Sequence, residues 1–169
     1  MNRKQLFLLL TFLSLGMSPL LAQTSFPEKC MGIWEGHMYI MAKGQIRDSV
    51  GIIFTVAETE DPKAWTWRTQ YLSETYPMTK DYVLRLKDEE KQTYLTDEGD
   101  GIVLYDYLFG DKLYSVFETE GILLTSSYEL VGEHLVFEVT SGKALSTEKG
   151  EVNNFSVDYV QRVVLSRKQ

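Results

Sequence analysis

The sequence predicts an all-β protein: a single antiparallel up-and-down barrel of about ten strands, behind a short lead-in. Three observations predict it. From Ile33 to Arg167 the chain is a succession of runs rich in Val, Ile, Thr, Tyr, Phe and Trp, which suit a pleated, half-buried surface. Turn residues divide these runs at fairly regular spacing. No window carries a sustained apolar repeat of helical period. A meander of this many strands has to close, or split into packed sheets, to manage its edges.

The first segment, residues 1–22, reads as a signal-peptide helix. Arg3 and Lys4 give it a positive start, Leu6 to Leu15 is apolar apart from Thr11 and Ser14, and Leu20-Leu21-Ala22 ends on a small residue. The apolar run is too short for a bilayer span and is followed by Gly16 and Pro19. The expectation is an exported protein, periplasmic or secreted, whose mature domain covers residues 23–169. The net charge is already −7, and loss of Arg3 and Lys4 makes it more negative. Such acidity argues against nucleic-acid partners and anionic membrane surfaces. Cys30 is the single cysteine, so no internal disulfide forms, and its expected role is packing beside Trp34. It stands too far past Ala22 for a lipid-anchor cysteine.

The strands follow in order: Ile33–Met41, Ser49–Thr59, Ala64–Leu72, Asp81–Leu86, Gln92–Thr96, Ile102–Leu108, Lys112–Glu118, Leu123–Leu130, His134–Ser141 and Phe155–Ser166. Asp61-Pro62 breaks the second from the third. Glu98-Gly99-Asp100-Gly101, Gly110-Asp111, Glu120-Gly121 and Gly132-Glu133 are hairpin turns. Ser73 to Lys80 is a longer connection, and Gly142 to Asn154 is a long polar one expected to be the most mobile. Alternation along the strands predicts an apolar interior. Trp34, Gly36, Met38 and Ile40 share one face, as do Trp65, Trp67, Thr69 and Tyr71, then Tyr82, Leu84 and Leu86, then Leu135, Phe137 and Val139. The opposite faces carry Glu35, Arg68, Arg85, Lys87 and Glu138, and the chain ends Ser-Arg-Lys-Gln. That pattern predicts a soluble barrel, not a membrane-spanning one.

The first strand opens Gly32-Ile33-Trp34-Glu35-Gly36. This Gly-x-Trp start, followed only by strand sequence, resembles the calycin barrels: the lipocalins, the fatty-acid-binding proteins and their relatives. Ten strands resemble the fatty-acid-binding shape, but Ala42 to Asp48 is too short for that family's helix pair. Secreted bacterial lipocalin-like domains resemble the chain more closely. The resemblance implies an Arg of the last strand near the first-strand Trp. Arg162 and Arg167 fall on opposite faces, so only one points inward. Arg167 would lie nearer Trp34 and Arg162 higher in the barrel, where it is the candidate anchor for an anionic head group. The Arg-x-Tyr of fatty-acid-binding proteins is here Arg162-Val163-Val164, without the Tyr.

The candidate ligand lining is therefore Trp34, Met38, Trp65, Trp67, Tyr71, Tyr82, Phe117, Tyr128, Phe137 and Arg162. Gly36, Thr69, Ser115 and Ser126 are small or polar inward positions that leave space among them. No cofactor is expected. Haem-binding barrels of related shape use a late His as iron ligand, and neither His37 nor His134 matches. No His, Cys or carboxylate spacing suggests zinc. Asp97, Glu98, Asp100 and Asp106 read as an acidic turn without the alternation of a calcium loop. No catalytic residue is assigned. The expectation is a non-enzymatic domain that holds a small apolar or amphipathic molecule inside the barrel. The alternatives are a filled barrel acting through its surface, at the envelope, and an enzyme built in the barrel mouth.

Overall fold

The computed structural model describes residues 24–146 and 152–168. The signal-peptide reading of residues 1–22 lies outside them. One short helix, α1 (Phe26–Cys30), precedes ten strands: β1 (Gly32–Ala42), β2 (Gln45–Glu58), β3 (Ala64–Leu72), β4 (Met78–Asp88), β5 (Thr93–Gly99), β6 (Ile102–Phe109), β7 (Lys112–Thr119), β8 (Ile122–Val131), β9 (His134–Lys143) and β10 (Tyr159–Arg167). They form one closed barrel in sequence order, with β10 pairing back onto β1. Trp34↔Arg167 fixes the closing register.

The elements depart from their expected bounds: β4 already starts at Met78, and β10 starts at Tyr159 and not at the expected Phe155, which makes only an isolated bridge to Ala144. The Ala42 to Asp48 connection is a tight hairpin, because Lys43 (φ 53°) and Gly44 (φ 70°) both take the left-handed region a two-residue turn needs. β2 therefore starts at Gln45. β9 runs on to Lys143, and the far arm of the long connection returns alongside it: Ser156 N–H donates to Lys143 O at 2.9 Å. The middle of that connection, residues 147–151, lies outside the described residues. The short lead-in, to which the sequence assigns no element, forms α1. Ser25 N–H donates to the Glu28 carboxylate at 2.6 Å, and Pro27 suits the first turn.

α1 closes one end of the barrel. Phe26 and Cys30 are buried there, and the Phe26 ring lies 6.4 Å from the Trp67 ring. Trp34 is buried above α1, its Nε1–H donating to Cys30 O at 2.7 Å. Gly32, at φ 121°, makes the entry into β1. Gly36 serves a different purpose from the expected space beside the ring. A Cβ there would stand 2.6 Å from Val164 O, so glycine lets the backbone of β10 approach β1. Above the helix, Trp34, Met38, Ile52, Phe54, Trp67, Leu84, Leu113, Leu135, Val163 and Leu165 fill the lower barrel.

The β1–β10 ladder skips Gly36 to Met38, and the β6–β7 seam has a longer gap at its end. β6 and β7 pair from Phe109↔Lys112 to Asp106↔Ser115, and no pairing joins the four remaining residues of each strand. Their other neighbours stay paired to the strand ends, at Gly99↔Ile102 and Thr119↔Ile122. The ladder of the closed barrel is interrupted between β6 and β7 along its upper half. Among the described residues, no helix is long and apolar enough to cross a membrane.

Candidate functional site

Above the packed lower core lies a cavity of about 110 Å³. β3 contributes Trp67, Thr69 and Tyr71 to its wall, β4 Lys80 and Tyr82, β5 Thr96 and Glu98, and β6 Leu104 and Asp106. Phe117 of β7, Leu124, Ser126 and Tyr128 of β8, and Phe137 and Val139 of β9 complete it. Each set is a run of alternate residues, as the period of a strand requires. Its base is an aromatic stack: Tyr128 lies on Phe137 with ring centres 4.3 Å apart and planes within 14°. Trp67 meets Tyr128 edge-on at 5.1 Å.

Six of the expected lining residues are in this wall: Trp67, Tyr71, Tyr82, Phe117, Tyr128 and Phe137. Trp34, Met38 and Trp65 point inward but belong to the packed core below the cavity. Arg162 does not line the barrel. Val163 and Leu165 are the buried members of β10, so Arg162 stands on the outer face, where its Nε meets Glu138 Oε2 at 3.2 Å. The expected anionic-head-group anchor is thereby overturned. Arg167 shares the inward parity and lies below Trp34, with Nη2 donating to Lys29 O at 2.7 Å and Nη1 to Met31 O.

The charge inside the barrel is instead acidic. Asp106, read from sequence as part of a solvated turn, is only 5% exposed. Thr96 Oγ1 donates to its Oδ2 at 2.8 Å. Burial pushes the Asp106 pKa up to about 7, the Thr96 bond opposing that shift in part. Glu98 also faces the cavity, while Asp97 does turn duty by accepting from Gly99 N–H at 3.0 Å. Burial raises the pKa of Tyr71, Tyr82 and Tyr128, and the Glu98 charge adds to it at Tyr71 and Tyr82. These phenols are neutral donors at physiological pH. Trp67 Nε1 is buried without a hydrogen-bond partner. Ser115, an expected small inward residue, is also buried and donates its hydroxyl to Tyr105 O at 2.8 Å.

Asp106 and Glu98 read in sequence as an acidic turn and Lys80 as part of the connection before β4, so none of them, nor Thr96 beside them, is among the expected lining. One signal was present: Tyr105 and Tyr107 flank Asp106, and alternation then makes either the tyrosines or the aspartate outward. The chain puts the tyrosines out. His37 and His134 are both exposed, and no group of three or more metal-ligating side chains occurs among the described residues.

No family model and no curated protein sequence matches the chain. Its fold is shared with solved structures, among them two of low sequence identity. A protein of unknown function from the DUF3598 family of Nostoc punctiforme superposes with a TM-score of 0.55 at 12% identity, over 82% of this chain and 47% of that one. Rv2717c from M. tuberculosis superposes with a TM-score of 0.54 at 14% identity, over 82% of this chain and 92% of that one. The chain thus spans less than half the Nostoc protein and nearly all of the mycobacterial one. At these identities the likeness concerns the barrel alone.

Proposed function

We propose that the protein is an exported, non-enzymatic binding barrel of the calycin-like kind, holding a compact amphipathic molecule with a hydrogen-bond-donating or cationic group. The observation that carries this reading is the aromatic cavity with a buried carboxyl at Asp106, hydrogen-bonded by Thr96. A carboxyl with spare acceptor capacity in an apolar wall suits an amine or hydroxyl, not the carboxylate expected from Arg162. The volume of about 110 Å³ suits one ring and excludes a whole fatty acid, since drug-sized sites run to about 300 Å³ and above. An apolar cavity of about 150 Å³ holds benzene, so a single ring is the upper limit for this one.

Titration with benzylamine, benzyl alcohol and benzoate, read by tryptophan fluorescence, tests the reading. Binding of the amine and the alcohol is expected with dissociation constants of about 10 μM to 1 mM, the range open to so few atoms. Benzoate is expected to bind worst. Equal affinity for all three, unaltered in Asp106→Asn, overturns the assignment of Asp106. Absence of binding by any of them leaves the surface-interaction reading, which the exposed Tyr107, Phe109 and Tyr114 of the outer wall support. Native mass spectrometry of protein purified from its own envelope identifies a resident molecule directly.

A further inference from the structure

We propose that the split between β6 and β7 is the passage through which a ligand enters and leaves the cavity; this rests on the binding reading above. Both strands keep strand geometry and stay paired to their outer neighbours, so the gap lies between β6 and β7 and not on either side of them. Its inner lips are Leu104 and Phe117, one from each strand, and both line the cavity. Its outer lips are Val103 and Tyr105 on β6 and Val116 on β7, exposed by 45%, 47% and 65%. Elsewhere the outer wall carries ion pairs, such as Arg68 with Asp81 and Arg162 with Glu138. Glu118 is the one charged residue of the two unpaired stretches; Val103 and Val116 outside and Leu104 and Phe117 inside give the rest of the seam an apolar path that an amphipathic ligand can follow.

The lower limit of the split is built. Ser115, at the last paired position, donates its hydroxyl to Tyr105 O, occupying the first carbonyl beyond the ladder. The β6 lip is held from the other side, where Lys87 Nζ donates to the Tyr105 hydroxyl at 2.6 Å. Asp106, the carboxyl proposed to meet the ligand, sits at that same last pair, directly at the foot of the opening. The competing route passes the barrel rim opposite α1, beside Lys80 and Glu98.

Bridging the outer lips tests the passage. Tyr105→Cys/Val116→Cys protein is cross-linked with a short bifunctional maleimide. Cys30, buried and with its pKa pushed up to about 12, is spared. The same bridge across the paired strands β7 and β8, in Tyr114→Cys/Ser127→Cys, is the control. Stopped-flow fluorescence with benzylamine reads both rate constants. Bridging β6 to β7 is expected to slow association and dissociation together, each by about tenfold or more, with the dissociation constant unchanged, since a gate alters rates and not the bound state. The control bridge is expected to alter neither. Rates equal to those of the unbridged double variant overturn the passage and leave the rim as the route. Failure of the unmodified protein to bind benzylamine at all overturns the cavity reading itself, and the passage with it.

Discussion

The Arg167 guanidinium lies over the Trp34 indole, its Cζ 4.1 Å from the ring centre, while its Nη2 donates to Lys29 O. One side chain from the last strand thus clamps the first strand and the end of α1 together. The carbonyls it takes are those a helix C-terminus leaves unpaired. Arg167→Ala is expected to lower stability in urea unfolding by about 1–3 kcal/mol, the sum expected of two hydrogen bonds and a cation–π contact. Arg167→Lys should recover little of it, because a point charge cannot stack and fork at once. Full recovery by lysine would mean that charge alone matters here.

Trp34 itself is a buried plug between α1 and the lower core, with its N–H satisfied by Cys30 O. Trp34→Ala is expected to cost roughly 3–5 kcal/mol, the range for truncating a buried Trp. A loss below about 1 kcal/mol in the same assay would show that the end of the barrel collapses freely around the vacancy.

Gly36 and Gly51 provide a matched pair. A Cβ at Gly36 meets Val164 O at 2.6 Å and Val163 Cγ2 at 2.9 Å, whereas one at Gly51 meets nothing closer than Leu72 Cβ at 3.4 Å. The first contact involves backbone, so β10 has to move. Gly36→Ala is expected to destabilise by about 1–3 kcal/mol, the usual cost of overpacking. Gly51→Ala should stay within about 0.5 kcal/mol of the parent, as for an uncrowded substitution. Thermal unfolding of the two variants side by side decides the point.

The strand order and most boundaries were legible because alternation and turn chemistry are local. Ala64–Leu72 was read to the residue, since Asp61-Pro62 bounds it and Trp65, Trp67, Thr69 and Tyr71 declare one face. Parity failed where neighbours were chemically alike. In Val163-Val164-Leu165 three apolar residues follow one another, so nothing local tells whether Arg162 or Arg167 faces inward. The closing register, Trp34↔Arg167, decides it, and that is a long-range fact. α1 was missed because its five residues are too few to show a period, although Ser25 and Glu28 stand at capping-box spacing. The split between β6 and β7 leaves no mark in sequence at all, since both segments have ordinary strand composition.

Asp106 gives the barrel a pH dependence whose sign follows from its burial. Its folded-state pKa is about 7, against about 3.9 for an unfolded aspartate. Between these values the folded protein holds a proton that the unfolded chain has released, so stability falls as pH rises from about 4 to about 7, then levels off. The groups sharing its cavity are Glu98, Lys80, Tyr71, Tyr82 and Tyr128, and the phenols stay neutral over this range. Asp106→Asn removes the carboxyl while keeping a side chain that Thr96 can still bond. It is expected to match the parent protein near pH 4 and to exceed it near pH 8 by up to roughly 4 kcal/mol, the value of three pKa units before relaxation. The same substitution should weaken benzylamine near pH 8, where the charged carboxylate attracts the ammonium, and have less effect near pH 5, where Asp106 is protonated in the free protein. Urea unfolding and fluorescence titration of both proteins across pH 4 to 8 measure the two effects separately. A parallel pair of stability curves would place Asp106 in contact with solvent and remove the carboxyl from the site.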